Sequence, residues 1–182
     1  MAKLVANTYG EALFSLAVEE NRVDDFFDEV KAIREILAAN PEFDTLMNHP
    51  KITKEEKEKV ISEVFSGRTS DEMTGFMKLL LRKERYGDIA GILDFFSAKV
   101  KEYKNIGVAY VTTAVELKDI QKASIQKKLL ETTGCKEMEM HYSVDDSLIG
   151  GVVIRIGDRV VDSSIKTKLE ELKKELSDLQ VG

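Results

Sequence analysis

Over roughly the first hundred residues the apolar positions recur every three to four residues, which gathers them on one side of a helix. Leu4 to Val18 predicts a first helix. Asp24 to Ala39 predicts a second, with Phe26, Phe27, Val30, Ile33 and Leu37 facing inward. Asn40-Pro41 stops it, because the residue before a proline avoids the α region. A short helix over Glu42 to Asn48 precedes Pro50. Thr53-Lys54-Glu55-Glu56 predicts a capping box: the Thr53 hydroxyl accepts from the Glu56 amide while the Glu56 side chain reaches back. Val60, Ile61, Val64 and Phe65 form the stripe behind it, and Gly67 is the stop. Thr69-Ser70-Asp71-Glu72 predicts a second box, opening a helix with Met73, Phe76, Met77, Leu79 and Leu80. After Gly87 a further helix carries Ile89, Ile92, Leu93, Phe96, Val100 and Tyr103.

The period then changes. Gly107 to Val115 is rich in β-branched and aromatic residues and predicts a strand. Leu117 to Thr133 predicts a helix, with Leu117, Ile125 and Leu129 on one side and lysines elsewhere. Met138, Met140, Tyr142 and Val144 alternate with polar residues, the period of a strand. Val152 to Ile156 and Arg159 to Asp162 flank Gly157-Asp158, a two-residue hairpin signal. Ile165, Leu169, Leu172, Leu176 and Leu179 stripe a last helix, with Asp162, Ser163 and Ser164 as its cap. The switch lies near Asn105. It divides the chain into an all-α bundle of five or six helices (residues 1–104) and a small α/β domain (residues 105–182).

Composition narrows the class of protein. Of 182 residues, 43% are hydrophobic and 33% charged, enough apolar material for a real core in a soluble globular chain. The net charge is −6, with both halves mildly acidic. That argues against nucleic acid or an anionic membrane as a nonspecific partner, since both need basic patches. No apolar run approaches the ~18 residues of a spanning helix, so direct membrane insertion is not expected. The start lacks the pattern of a signal peptide. Cys135 is the sole cysteine, so no internal disulfide can form.

The candidate chemistry is sparse. Gly150, Gly151 and Gly157 match neither a Walker motif nor a dinucleotide fingerprint, and Gly151 leads into a strand; glycine for shape is the preferred reading. His49 and His141 fall in different domains without metal-ligand spacing. Asp145-Asp146-Ser147 reads as a self-bonding turn. No nucleophilic triad or carboxylate pair stands out, so an enzyme is not expected, nor a cofactor or metal.

The first helix is unusual. Between Leu4 and Val18 the only charge is Glu11, and apolar residues cover nearly the whole circumference. A surface helix needs an apolar stripe of about 100°. Leu79-Leu80-Leu81 shows the same excess. Two readings stay open: both helices are central in the bundle, or they leave an apolar groove that accepts another amphipathic helix.

The segment SLIGGVVIRIGDRVVDSSIKTKLEEL resembles the C-terminal pattern of the F-type ATP synthase delta subunit family, the bacterial counterpart of the mitochondrial oligomycin-sensitivity-conferring protein. VANTYGEALFSLA is similar to the first helix of that family, and FMKLLLRKERYGDIAGIL to its fifth and sixth. The family commonly has Asn-Gly or Asn-Lys where Lys83-Glu84 stand, and a small residue at Ser163. The resemblance implies a six-helix N-terminal bundle followed by a small α/β domain. It implies a non-catalytic stator subunit in a hetero-oligomeric complex, peripheral on the cytoplasmic face of the bacterial membrane. The N-terminal domain would hold the N-terminal helix of an α subunit, and the C-terminal domain the ends of the b subunits. Carried over by position, the groove for the α-subunit helix comprises Tyr9, Ala12 and Leu13 with Phe76, Leu79 and Leu80. Ala12 would permit the close helix approach. An RNA-binding module with a helical appendage is the alternative of a different class, and an unrecognised enzyme comes third.

Overall fold

The computed structural model describes residues 2–65 and 67–169. The chain divides into two compact units, Met1–Lys101 and Glu102–Gly182. The first is helical: α1 (Ala2–Glu19), α2 (Val23–Ala39), α3 (Pro41–Asn48), α4 (Lys54–Phe65), α5 (Asp71–Arg82), a 3-10 turn (Tyr86–Asp88) and α6 (Ile89–Tyr103), whose last residues pass into the second unit. The inward stripes read from the spacing converge in one cluster. Phe26, Val30, Ile33, Ile61, Phe65, Met73, Leu80, Ile92 and Phe96 are all buried there. Tyr103, expected on the α6 stripe, is instead exposed.

Local signals explain the helix ends. The Thr53 box forms: the Glu56 amide donates to Thr53 Oγ1 at 3.3 Å, and Glu56 Oε2 accepts from the Thr53 amide at 3.1 Å. The second box does not form, and the cap shifts by one residue. Ser70, not Thr69, caps α5, its hydroxyl oxygen accepting from the Met73 amide at 3.3 Å. Thr69 turns its hydroxyl toward that of Thr74. At the other end of α5, Arg85 N–H donates to Leu80 O and Glu84 N–H to Leu81 O, which puts Glu84 at a φ of +59°. This is the helix-terminating position that favours glycine or asparagine, and it is where the chain departs from the family pattern.

The second unit is α/β. It holds β1 (Ile106–Thr113), α7 (Asp119–Thr133), β2 (Glu137–Val144), β3 (Val152–Ile156), β4 (Arg159–Asp162) and a helical turn at residues 165–169. The sheet order is β2-β1-β3-β4, with β1 parallel to β2 and antiparallel to β3, and β3 antiparallel to β4. The parallel pair requires a crossover, and α7 supplies it. Gln126 donates to Met138 O at 3.2 Å and Tyr142 to Lys122 O at 3.3 Å, tying α7 to β2. Gly157, at φ +55°, turns the β3–β4 hairpin.

Two expectations change here, the end of β1 and the start of α7. β1 ends at Thr113, where the Thr113 hydroxyl donates to Val115 O and bends the chain out of the sheet. α7 begins at Asp119 rather than Leu117, because the Gln121 side chain accepts from the Lys118 amide and fixes the start. No residue of α7 is fully buried; Ile125 and Leu129 are only half-buried. The cap of the last helix forms on Ser164, whose oxygen accepts from the Thr167 amide at 3.2 Å. Leu172, Leu176 and Leu179 lie outside the described residues.

Candidate functional site

The six groove residues separate by burial. Leu13 and Leu80 are about 1% and 0% exposed, and Phe76 is also buried; all three belong to the single core cluster. Tyr9 is half-buried against that cluster. Ala12 and Leu79 are exposed, Leu79 at 42%. One side of α1 and α5 is core, and a remainder faces solvent. Leu4 and Val18 add to the exposed apolar surface of α1.

Close helix approach occurs inside the unit, and other residues provide it. A Cβ on Gly10 would stand 2.5 Å from Phe95 Cδ1 and 3.1 Å from the Ile92 carbonyl oxygen, so α1 crosses α6 at van der Waals contact there. A Cβ on Gly91 would meet that of Ala6 at 3.6 Å. The signal was present in the sequence: Ala6 and Gly10 are four apart, hence on one helix face.

Charged groups tie the helices at their rims. Arg82 forms a two-pronged pair with Glu58, Nε to Oε1 at 2.6 Å and Nη2 to Oε2 at 2.8 Å, joining α4 to α5. The hydrogen bonds from Arg82 hold the Glu58 carboxyl below the usual carboxylate range. Arg22 reaches Glu72 at 3.4 Å. Among the described residues the buried Tyr86 hydroxyl has no hydrogen-bond partner, and burial raises its pKa.

In the second unit the glycine pair has a geometric role. Gly151 sits at φ +84°, and a Cβ there would overlap the Ser163 carbonyl oxygen. The space lets the segment after β4 lie across the turn, where Ser163 N–H donates to Val152 O and Ile165 N–H to Gly150 O, both at 2.9 Å. Such close packing against backbone leaves no phosphate cradle. Asp145 accepts from the Ser147 amide at 3.0 Å, a self-bonding turn, and those bonds hold its carboxyl low. Beside this turn an apolar cleft of ≈470 Å³ opens between α7 and the Ile149–Val152 segment, walled by Val115, Leu117, Ile125, Ile149 and Val152. The sequence reading missed it, because Leu117 was assigned to the helix and Val115 to the strand.

The other face of the sheet carries a cross-strand row. Tyr110 stacks on His141 with ring centroids 4.9 Å apart, and the Arg155 guanidinium lies 5.0 Å over the Tyr110 ring. With His141 on one neighbouring strand and Arg155 on the other, the tyrosine is not a free platform for a base. Among the described residues no three His, Cys, Asp or Glu side chains could hold a metal ion, and no helix is long and apolar enough to cross a membrane.

Comparison with known proteins bears on the family and the fold. The family model "ATP synthase delta (OSCP) subunit" matches residues 5–176. An ATP synthase subunit delta of Lachnoclostridium phytofermentans is 53% identical over 182 residues, covering 100% of both chains. One of Desulforamulus reducens is 38% identical, covering 94% of each. A chain in the Toxoplasma gondii mitochondrial ATP synthase hexamer shares the fold, with a TM-score of 0.77 at 19% identity over 94% of this chain and 96% of that one. With its family model matched over nearly the full length, the chain belongs to the ATP synthase delta (OSCP) subunit family.

Proposed function

We propose that this chain is the non-catalytic stator joint of an F-type ATP synthase. Residues 1–104, as a six-helix bundle, hold the N-terminal helix of an α subunit at the top of the catalytic head. Residues 105–182 hold the distal ends of the b subunits. The joint keeps the head from turning with the rotor, so ion-driven torque reaches the catalytic sites. The complex holds the chain peripherally at the cytoplasmic face of the bacterial membrane.

The observation that carries this reading is the surplus apolar surface on α1 and α5. Their inner residues already close the core, yet Leu79 and Leu4 remain exposed and Ala12 offers a small, flat contact. An amphipathic helix laid on that surface would touch Tyr9, Ala12 and Leu79, with Leu13, Phe76 and Leu80 as the rigid backing. Ala12→Asp tests it. The residue is exposed, so the variant should melt close to wild type. Its affinity for a peptide of the cognate α-subunit N-terminus should fall at least about tenfold, the loss expected from burying a charge in an apolar contact. A folded variant with wild-type affinity would remove the α1–α5 surface from the account.

A further inference from the structure

We infer that Arg22 is a positioning residue for the α-subunit contact of the reading above, on which this inference rests. Its pair with Glu72 fixes the spacing of α1 and α5, the two helices that present the apolar surface.

Arg22 moves with α1. Asn21 closes that helix at a φ of +55°, its N–H donating to Val18 O at 3.0 Å, while Arg22 N–H donates to Ala17 O at 2.9 Å. The two bonds make a Schellman closure. Ala17 is fully buried, so the Arg22 backbone is anchored to the core through α1. From there the guanidinium lies 5.3 Å over the Phe26 ring and reaches three carboxylates. Nη1 stands 3.3 Å from Glu20 and 3.4 Å from Glu72, and Nε stands 3.4 Å from Asp25. Glu20 and Asp25 are close neighbours in the chain. Glu72 is not: it belongs to α5, about two turns before Leu79 on the same helix face.

The far end of α5 is set by packing. The 3-10 turn Tyr86–Asp88 packs against both α1 and α5, and Tyr86 is buried. The start of α5 is tied to α2 by Ser70, whose hydroxyl donates to Glu29 at 2.7 Å. The Arg22–Glu72 pair supplies the link to α1. Its side chains are 35% and 36% exposed, so the pair adds little to stability. Without Arg22, three carboxylates converge on one spot. Their repulsion moves the α1–α2 turn away from α5, and the apolar surface loses its spacing while the core stays closed. Salt screens the pair and acts in the same direction. Burial of apolar surface is not weakened in this way.

The test is titration of the full chain with the cognate α-subunit N-terminal peptide, with a melt of each variant. Arg22→Gln and Glu72→Gln should melt close to wild type and each bind about three- to fivefold more weakly, the size of an exposed ion pair. The double variant should bind no more weakly than either single one, because both remove the same link. Arg22→Lys keeps the charge and should recover most of the affinity. From about 0.05 M to about 0.5 M salt, wild type should lose affinity more steeply than Arg22→Gln. Direct contact of these charges with the peptide would shift the two single variants in opposite directions, and that result would overturn the inference. Wild-type affinity in either single variant, losses that add in the double, or unfolding of free Arg22→Gln would overturn it too. In each of these cases the α-subunit reading stands if wild type binds the peptide and Ala12→Asp binds it more weakly. If wild type does not bind the peptide, that reading falls and this inference with it.

Discussion

The helical unit hides its large apolar side chains, and the α/β unit leaves many of them in water. Phe26, Phe65 and Phe96 are fully enclosed in the first unit. In the second, Val115, Ile120, Val144, Ile149, Val160 and Val161 are each more than half exposed, and α7 buries no residue completely. A monomer rarely leaves so much apolar surface uncovered unless a partner takes it. The contrast is one of packing: the first unit closes a core of its own, while the described residues of the second leave much of their apolar surface exposed.

The largest effect that could break this contrast is a core truncation. Leu80→Ala should cost about 2–5 kcal/mol in the first unit. Val161→Ala should cost under about 1 kcal/mol in the second, because the side chain on this edge strand is mostly solvated. Denaturant melts of both variants check it, and equal losses would mean that the second unit is as tightly packed as the first.

Gly151→Ala should have the next largest effect. It forces a Cβ onto the Ser163 carbonyl at a positive φ, at a cost of about 1–3 kcal/mol. Only the transition that reports the α/β unit should move in a melt followed by residue-specific probes. A shift of the helical unit by the same amount would contradict the independence of the two.

The smallest effect sharpens the account of the first unit. Glu58 is held below the ordinary carboxylate range by Arg82. A carboxyl depressed in the folded state adds stability above its unfolded pKa, and that contribution is lost as pH falls through the folded value. Wild type should therefore lose slightly more stability than Glu58→Gln between pH 6 and pH 3. Because the Arg82 side chain is largely exposed, the difference should shrink in high salt. Parallel pH curves would show that the pair contributes nothing.

How much of this was legible depended on how local the cause was. The inward stripes of α2, α5 and α6 follow from spacing, and the structure buries Phe26, Phe27, Val30, Ile33, Met73, Phe76, Met77 and Leu80 as that spacing requires. The Thr53 box and the Gly157 turn are equally local. The Ser70 cap was misplaced by one residue because Thr69 and Ser70 are both competent, and the tertiary bond from Ser70 to Glu29 at 2.7 Å favours the second. Spacing could not say which side of an apolar helix would be left over. Leu13 and Leu80 went to the core, while Ala12 and Leu79 stayed outside. The cleft was illegible for the same reason. It joins Val115, Ile125 and Ile149 from three segments whose juxtaposition depends on the β1–β3 pairing.

The central claim is that one chain joins two partners through two separate units. The most direct measurement immobilises the cognate α-subunit N-terminal peptide and asks whether it retains the soluble part of the b subunit. The account predicts retention only when the full chain is added, with loss on Ala12→Asp. Retention without the chain, or undiminished retention by the Ala12→Asp chain, would contradict it.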